Sequence, residues 1–109
     1  MNLKDLKAKG GFVSTKPVEK KVVWKRKVGD EEMSDEFTVH VKPMSYGDIE
    51  RIFIDPKDAD RSRTAALIAA SVLLNDGKEP LSYEDAYQLA PSLAKVLSEA
   101  VSEVNASKN

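Results

Sequence analysis

The sequence predicts an α+β fold in which an N-terminal β-hairpin packs on a bundle of three to four helices. Two segments near the N-terminus alternate apolar and polar residues with the period of a strand, whereas the later apolar residues follow the period of a helix. A length of 109 residues fits one domain. We expect a mobile basic arm at residues 1–17, a single α+β domain at residues 18–105 and a polar tail at residues 106–109.

The hairpin is predicted over residues 18–41. In its first strand, Trp24 shares one face with valines, while lysines occupy the other face. In its second strand, Phe37, Val39 and Val41 alternate with polar residues. Because an isolated hairpin is only marginally stable in water, its Trp24 and Phe37 face must pack on the helices or pair with another subunit.

A short helix is predicted from residue 46 to about residue 54. Ser45 can cap it, because Asp48 follows three residues later, as in a capping box. Its apolar residues have helical spacing, so we expect a buried stripe formed by Ile49, Ile52 and Phe53.

The centre of the chain is an apolar helix predicted over residues 64–74, with acidic residues at 58–60 at its start. This run is too short to span a bilayer, so we expect a core or interface helix and no membrane. A turn at residues 75–77 and a cap formed by Ser82 and Asp85 lead into the next helix. The segment is therefore predicted to be a helix-turn-helix hairpin.

The last helix is predicted to begin at Pro91, since proline suits a first helical position. It carries an amphipathic face that packs on the remaining elements. We expect the core to contain Trp24, Phe37, Val39, Ile52, Phe53, Ile68, Val72, Leu93 and Leu97.

The sequence shows no pattern for catalysis, a cofactor or a metal. The absence of Cys excludes disulfides and thiolate metal sites. The single histidine, His40, falls on the polar face of a predicted strand, where we expect it to be solvated. The acidic residues Asp55, Asp58 and Asp60 lack the pattern of a calcium-binding loop. We therefore predict a non-catalytic protein without cofactors.

Charge is unevenly distributed along the chain. Nine Lys and Arg residues stand against two acidic residues through Val28, whereas eight stand against sixteen from Gly29 onward. A basic arm can contact nucleic acid or an acidic partner, and it can equally complement the acidic remainder of the same or a neighbouring subunit. No motif that reads nucleic acid accompanies this charge, so a protein partner is favoured. A small basic-arm nucleic-acid-associated or regulatory protein is the alternative.

Residues 60–105 carry a characteristic order of features. An Asp-Arg-x-Arg entry is followed by an Ala-rich apolar helix, the turn NDGKEPL, the cap SYEDA and an amphipathic helix ending in Val-x-x-Val-Asn. This order resembles the tail assembly chaperones of long-tailed bacteriophages.

The resemblance implies a chaperone that self-associates, binds the tape measure protein and helps recruit the major tail tube protein. It implies action in the host cytoplasm, absence from the mature virion, and a longer form made by programmed frameshift. Apolar helix faces and the hairpin aromatic are the expected contact surfaces. The candidate interaction residues are Trp24, Leu67, Leu74, Leu93 and Val101.

Overall fold

The computed structural model describes residues 1–14, 16–53 and 62–106. The acidic residues at 55, 58 and 60, the predicted end of the second helix and the tail at 107–109 lie outside the described residues. The fold is α+β, as predicted. In chain order its elements are α1 (Leu3–Ala8), β1 (Val18–Val28), β2 (Glu31–Val41), α2 (Tyr46–Phe53), α3 (Arg63–Ser71), β3 (Val72–Leu74), β4 (Glu79–Pro80), α4 (Tyr83–Tyr87) and α5 (Pro91–Ala106).

The strands form one antiparallel sheet in the order β1-β2-β3-β4. The predicted hairpin is confirmed, since β1 and β2 pair along their whole length, from Val18 opposite Val41 to Val28 opposite Glu31. In contrast, β3 pairs with β2 at only two positions, the last of which is Val41. The distal part of the hairpin therefore extends beyond the rest of the sheet.

The prediction of helix over residues 72–74 is wrong, because the central helix ends at Ser71 and the chain continues as β3. Val72 is extended, with φ −91° and ψ 130°, and it pairs with Val41. β-Branched valine suits such a strand position. The next residues, Asn75 to Gly77, have positive φ and form the turn between β3 and β4. The predicted helix-turn-helix hairpin is thus a helix, a small β-hairpin and a helix, and a bundle of three to four helices is not confirmed.

The predicted helix starts are mostly confirmed. Backbone N–H groups and side chains of Ser45 and Asp48 bond reciprocally, at 3.1 and 3.2 Å, which forms the capping box at the start of α2. Ser82 caps α4 and Pro91 begins α5. The central helix α3 begins at Arg63 with Ser62 as its N-cap, and residues 58–60, which were predicted at its start, lie outside the described residues.

The core lies between the sheet and α3, α4 and α5. Of the residues predicted for it, Val39, Ile68, Val72 and Leu97 are buried, whereas Trp24, Phe37, Ile52, Phe53 and Leu93 are half-buried. Small residues that allow close helix packing were not predicted, and they include Ala65, Ala86 and Ala100.

Two expectations about side-chain burial are wrong. The apolar stripe of α2 is not buried, since Ile49 is 38% exposed and α2 has no buried residue. Conversely, His40 is half-buried, because its ring lies beside Gly77 in the turn between β3 and β4. The Nδ1 atom of His40 has no hydrogen-bond partner within the described part of the chain. The ring therefore packs under the turn instead of standing in solvent.

The N-terminal arm contains more regular structure than the sequence suggested. Asn2 and Asp5 form a capping box, and α1 follows from Leu3 to Ala8. No residue of α1 is buried. The mobility of the arm in solution stays a prediction.

Candidate protein-binding groove

An open apolar groove lies where the hairpin meets α5 and the small β3–β4 hairpin. Its volume is about 330 Å³. The hairpin supplies one wall, and leucines from the later part of the chain supply the other. We call it the leucine groove, lined by Trp24, Asp35, Phe37, Leu74, Leu81, Leu89, Leu93 and Leu97.

The hairpin wall follows from the register of β1 and β2. In that register Trp24 lies opposite Asp35, and Val22 lies opposite Phe37. Side chains on a strand alternate between faces, so Val22 and Trp24 point the same way as Phe37 and Asp35. Val22 is buried in the core, and its neighbours along the strands continue outward as the wall of the groove.

Trp24 is held in place from two sides. Its indole Nε1 donates a hydrogen bond to Ser92 Oγ at 2.9 Å, which connects β1 to the first turn of α5. The guanidinium carbon of Arg26 lies 4.0 Å from the centre of the indole ring, close enough for a cation–π interaction. Arg26 also forms an ion pair with Asp35, with Nη1 and Oδ2 2.6 Å apart. A polar clamp therefore positions an aromatic ring at the edge of an apolar groove.

The opposite wall is built from separate segments of the chain. Leu74 ends β3 and Leu81 follows β4, while Leu89 lies in the connection between α4 and α5. Leu93 and Leu97 lie four residues apart on α5, which puts them on one face of that helix. Most of these side chains are half-buried, so their remaining surface is available at the groove, whereas Leu97 is 2% exposed and forms its floor.

The groove has the character of a binding surface. Apart from Asp35, every lining residue is aromatic or leucine, so the groove suits the apolar face of a helix. The one charged lining residue, Asp35, forms an ion pair with Arg26, which does not itself line the groove. Such a site can bury apolar surface of a partner.

The carboxylate with a shifted pKa, Asp48, lies on α2 and does not line the leucine groove. A hydrogen bond from the backbone N–H of Ser45 holds the pKa of Asp48 below its ordinary value, and the nearby Arg51 acts in the same direction.

Among residues 1–14, 16–53 and 62–106, no cluster of three or more His, Asp or Glu side chains is placed to hold a metal. Within the same residues, no helix has the length and apolar character that crossing a membrane requires.

The structure separates the interaction residues that the sequence predicted. Trp24, Leu74 and Leu93 come together in the leucine groove. Leu67 is half-buried on α3 against the core and does not line the groove, and Val101 is 1% exposed within the core. The roles of Leu67 and Val101 in binding stay predictions.

Five lining residues were not named as interaction residues from the sequence, namely Asp35, Phe37, Leu81, Leu89 and Leu97. Phe37 was assigned to the core because of strand alternation, and Leu81 and Leu89 stand outside any regular periodic segment. In the sequence, the four-residue spacing of Leu93 and Leu97 was the local signal for the leucine wall of the groove. The remaining residues meet only through the tertiary fold.

Comparisons with known proteins extend the resemblance seen in residues 60–105. A protein-family model described as "Phage tail assembly chaperone, TAC" matches residues 4–105. The match therefore includes the hairpin and most of the basic arm as well as the later helices. Neither the search of curated proteins nor the search of solved structures gives a match.

Proposed function

The chain belongs to the phage tail assembly chaperone family, and from this premise we propose that it binds the tape measure protein through the leucine groove. In the same proposal it self-associates and helps recruit the major tail tube protein to the growing tail. Its role is non-catalytic, exercised in the host cytoplasm, and it leaves the assembly before the virion is complete.

The observation that carries the proposal is the apolar surface of the leucine groove. A long helical client presents repeated apolar stripes that aggregate unless they are covered. An amphipathic helix can lay such a stripe into a groove lined by Trp24, Phe37 and the leucines. Each contact is small, so coverage of the client requires many copies acting together.

Self-association supports the same task. Copies that contact one another bind a long client with a higher effective concentration than separate copies do. The sheet of this chain has strand edges that other described strands leave unpaired, and these can serve as contacts between copies.

Recruitment of tube subunits and a longer product are the parts of the proposal that rest on the family. The resemblance implies that a programmed frameshift produces an extended form of the chain. Mass spectrometry of the natively expressed gene is expected to show two products. A single product, without an extended form, would remove this part.

Co-expression tests the proposal as a whole. The tape measure protein is expressed with and without this chain, and the soluble fraction is separated by gel filtration. We expect the tape measure protein to aggregate alone and to elute as a soluble complex when the chain is present. Equal solubility in both cases, with no complex on the column, would refute the proposed function.

A further inference from the structure

Among the described strands, two long stretches of strand edge have unpaired backbone groups, in addition to the two-residue edge of β4. One edge is the whole outer side of β1, which pairs only with β2 among the described strands. The other edge is residues 31–39 of β2, since β3 covers only its last two residues. Unpaired N–H and C=O groups at a strand edge form a template for a strand from another chain.

The two edges carry opposite charges. Apart from Glu19, the charged residues of β1 are all basic, namely Lys20, Lys21, Lys25, Arg26 and Lys27. β2 has no Lys or Arg, and its acidic residues are Glu31, Glu32, Asp35 and Glu36. The sequence therefore distinguishes the edges by charge as well as by position.

This distinction decides which edges can meet. If two copies of β1 paired, basic residues would face basic residues, and two copies of β2 would bring acidic residues together. Like charges across a strand pair are destabilising, whereas opposite charges are favourable. Edge lysines also protect a strand against non-specific pairing, and this protection is relieved by an acidic partner.

We propose that the outer edge of β1 in one copy pairs with the free edge of β2, residues 31–39, in a second copy. The inference rests on the self-association in the proposed function and assigns it to a surface. The contact joins two different edges, so each added copy presents the same free edges again. Copies therefore join head to tail in a continuous sheet, as a ring or a helical array.

The proposed contact and the leucine groove use different atoms of β1 and β2. Trp24 and Phe37 face the helices, whereas the contact uses the backbone edges and the charges beside them. A row of copies then presents a row of grooves to one long client. This arrangement provides the repeated weak contacts on which the proposed function depends.

The distal hairpin supplies charges that suit a test. Several charged residues nearer the body already form ion pairs within the subunit, such as Lys20 with Glu103 and Lys21 with Glu36. In contrast, four distal residues make no ion pair within the described part of the chain, and they are Lys25, Lys27, Glu31 and Glu32. Their charges are available to a neighbouring copy.

The experiment is sedimentation velocity of the full chain across a concentration series. A basic-edge variant carries Lys25→Glu and Lys27→Glu, and an acidic-edge variant carries Glu31→Lys and Glu32→Lys. We expect wild type to self-associate. Each variant alone is expected to associate at least about tenfold more weakly than wild type. When the two variants are mixed, opposite charges again meet at every junction, so association is expected to return.

A control separates this effect from damage within the hairpin, where Lys27 lies opposite Glu32. The variant with all four substitutions keeps opposite charges inside the hairpin and between copies, so it is expected to associate like wild type. Unchanged association of the two-site variants, or no association in their mixture, would overturn the proposed surface.

The remaining outcomes also separate this inference from the proposed function. A wild-type chain that stays monomeric would overturn both the edge contact and self-association. Binding of the tape measure protein through the leucine groove would still stand or fall by its own co-expression test.

Discussion

The indole nitrogen of Trp24 and the hydroxyl oxygen of Ser92 are joined by a hydrogen bond of 2.9 Å. The two residues are 68 positions apart in the chain, one in β1 and the other in the first turn of α5. The bond satisfies the polar atom of the indole and leaves its apolar surface to the leucine groove. It thereby links the orientation of the hairpin to the helix that forms the opposite wall.

Removal of this hydrogen bond is expected to weaken the fold slightly. Ser92→Ala should lower the free energy of unfolding by about 0.5–1 kcal/mol, because water can replace the lost partner at this exposed position. Urea denaturation, followed by the fluorescence of Trp24, measures the change. Ser102→Ala on the exposed face of α5 is the matched control. Equal stability of the two variants would contradict a role for the bond.

Substitution of Leu97 tests the assignment of the core. It is 2% exposed and lies beneath the leucine groove, so Leu97→Ala should lower the free energy of unfolding by about 2–5 kcal/mol. Leu6→Ala serves as the control, since Leu6 is 43% exposed on α1 and outside the core. Chemical denaturation measures both. A midpoint unchanged by Leu97→Ala would show that the assigned core is wrong.

Two glycines are expected to respond in opposite directions when replaced by alanine. Gly77 has φ +86° in the turn between β3 and β4, so Gly77→Ala should cost about 1 kcal/mol or more. Gly47 lies in α2, where an added Cβ would make only an ordinary contact with Ser45 Oγ at 3.8 Å, so Gly47→Ala should stabilise the protein by up to about 1 kcal/mol. Thermal unfolding of both variants tests this contrast. Stabilisation by Gly77→Ala would contradict the turn described here.

The lowered pKa of Asp48 predicts that this residue contributes to the loss of folding stability at acidic pH. The Ser45 N–H lowers the pKa of Asp48 in the folded chain, so the folded state favours the carboxylate more than the unfolded state does. This stabilisation is present above the unfolded-state pKa and is lost as the pH falls through the lowered folded-state value. We expect Asp48→Asn to reduce the loss of stability on acidification. An identical pH profile for wild type and variant would exclude this contribution.

Features that depend on residues close together in the sequence were predicted correctly. Alternation placed both strands of the hairpin, and the spacing of Ser45 and Asp48 placed the start of α2. The strand at residues 72–74 was missed because a short apolar run suits a buried helix as well as a buried strand. Its pairing with β2 through Val41 decides between them, and that contact is tertiary.

The leucine groove was predicted only in part for the same reason. Trp24 was expected at an interface because an aromatic residue on a hairpin face is typical of contacts. Its neighbours across the groove, such as Leu89, carry no periodic signal of their own. The bond between Trp24 and Ser92 depends on how the hairpin packs on α5, which no local pattern in the sequence specifies.

The most direct test of the central claim is co-expression of the tape measure protein with two matched variants. Leu89→Asp places a charge in the leucine groove, whereas Ile49→Asp places one on α2, away from it. Circular dichroism first establishes that both variants fold, and the amount of soluble complex is then measured by gel filtration. We predict that wild type and Ile49→Asp hold the tape measure protein in solution, while folded Leu89→Asp leaves it aggregated. A folded Leu89→Asp variant that forms as much soluble complex as wild type would contradict binding through the groove.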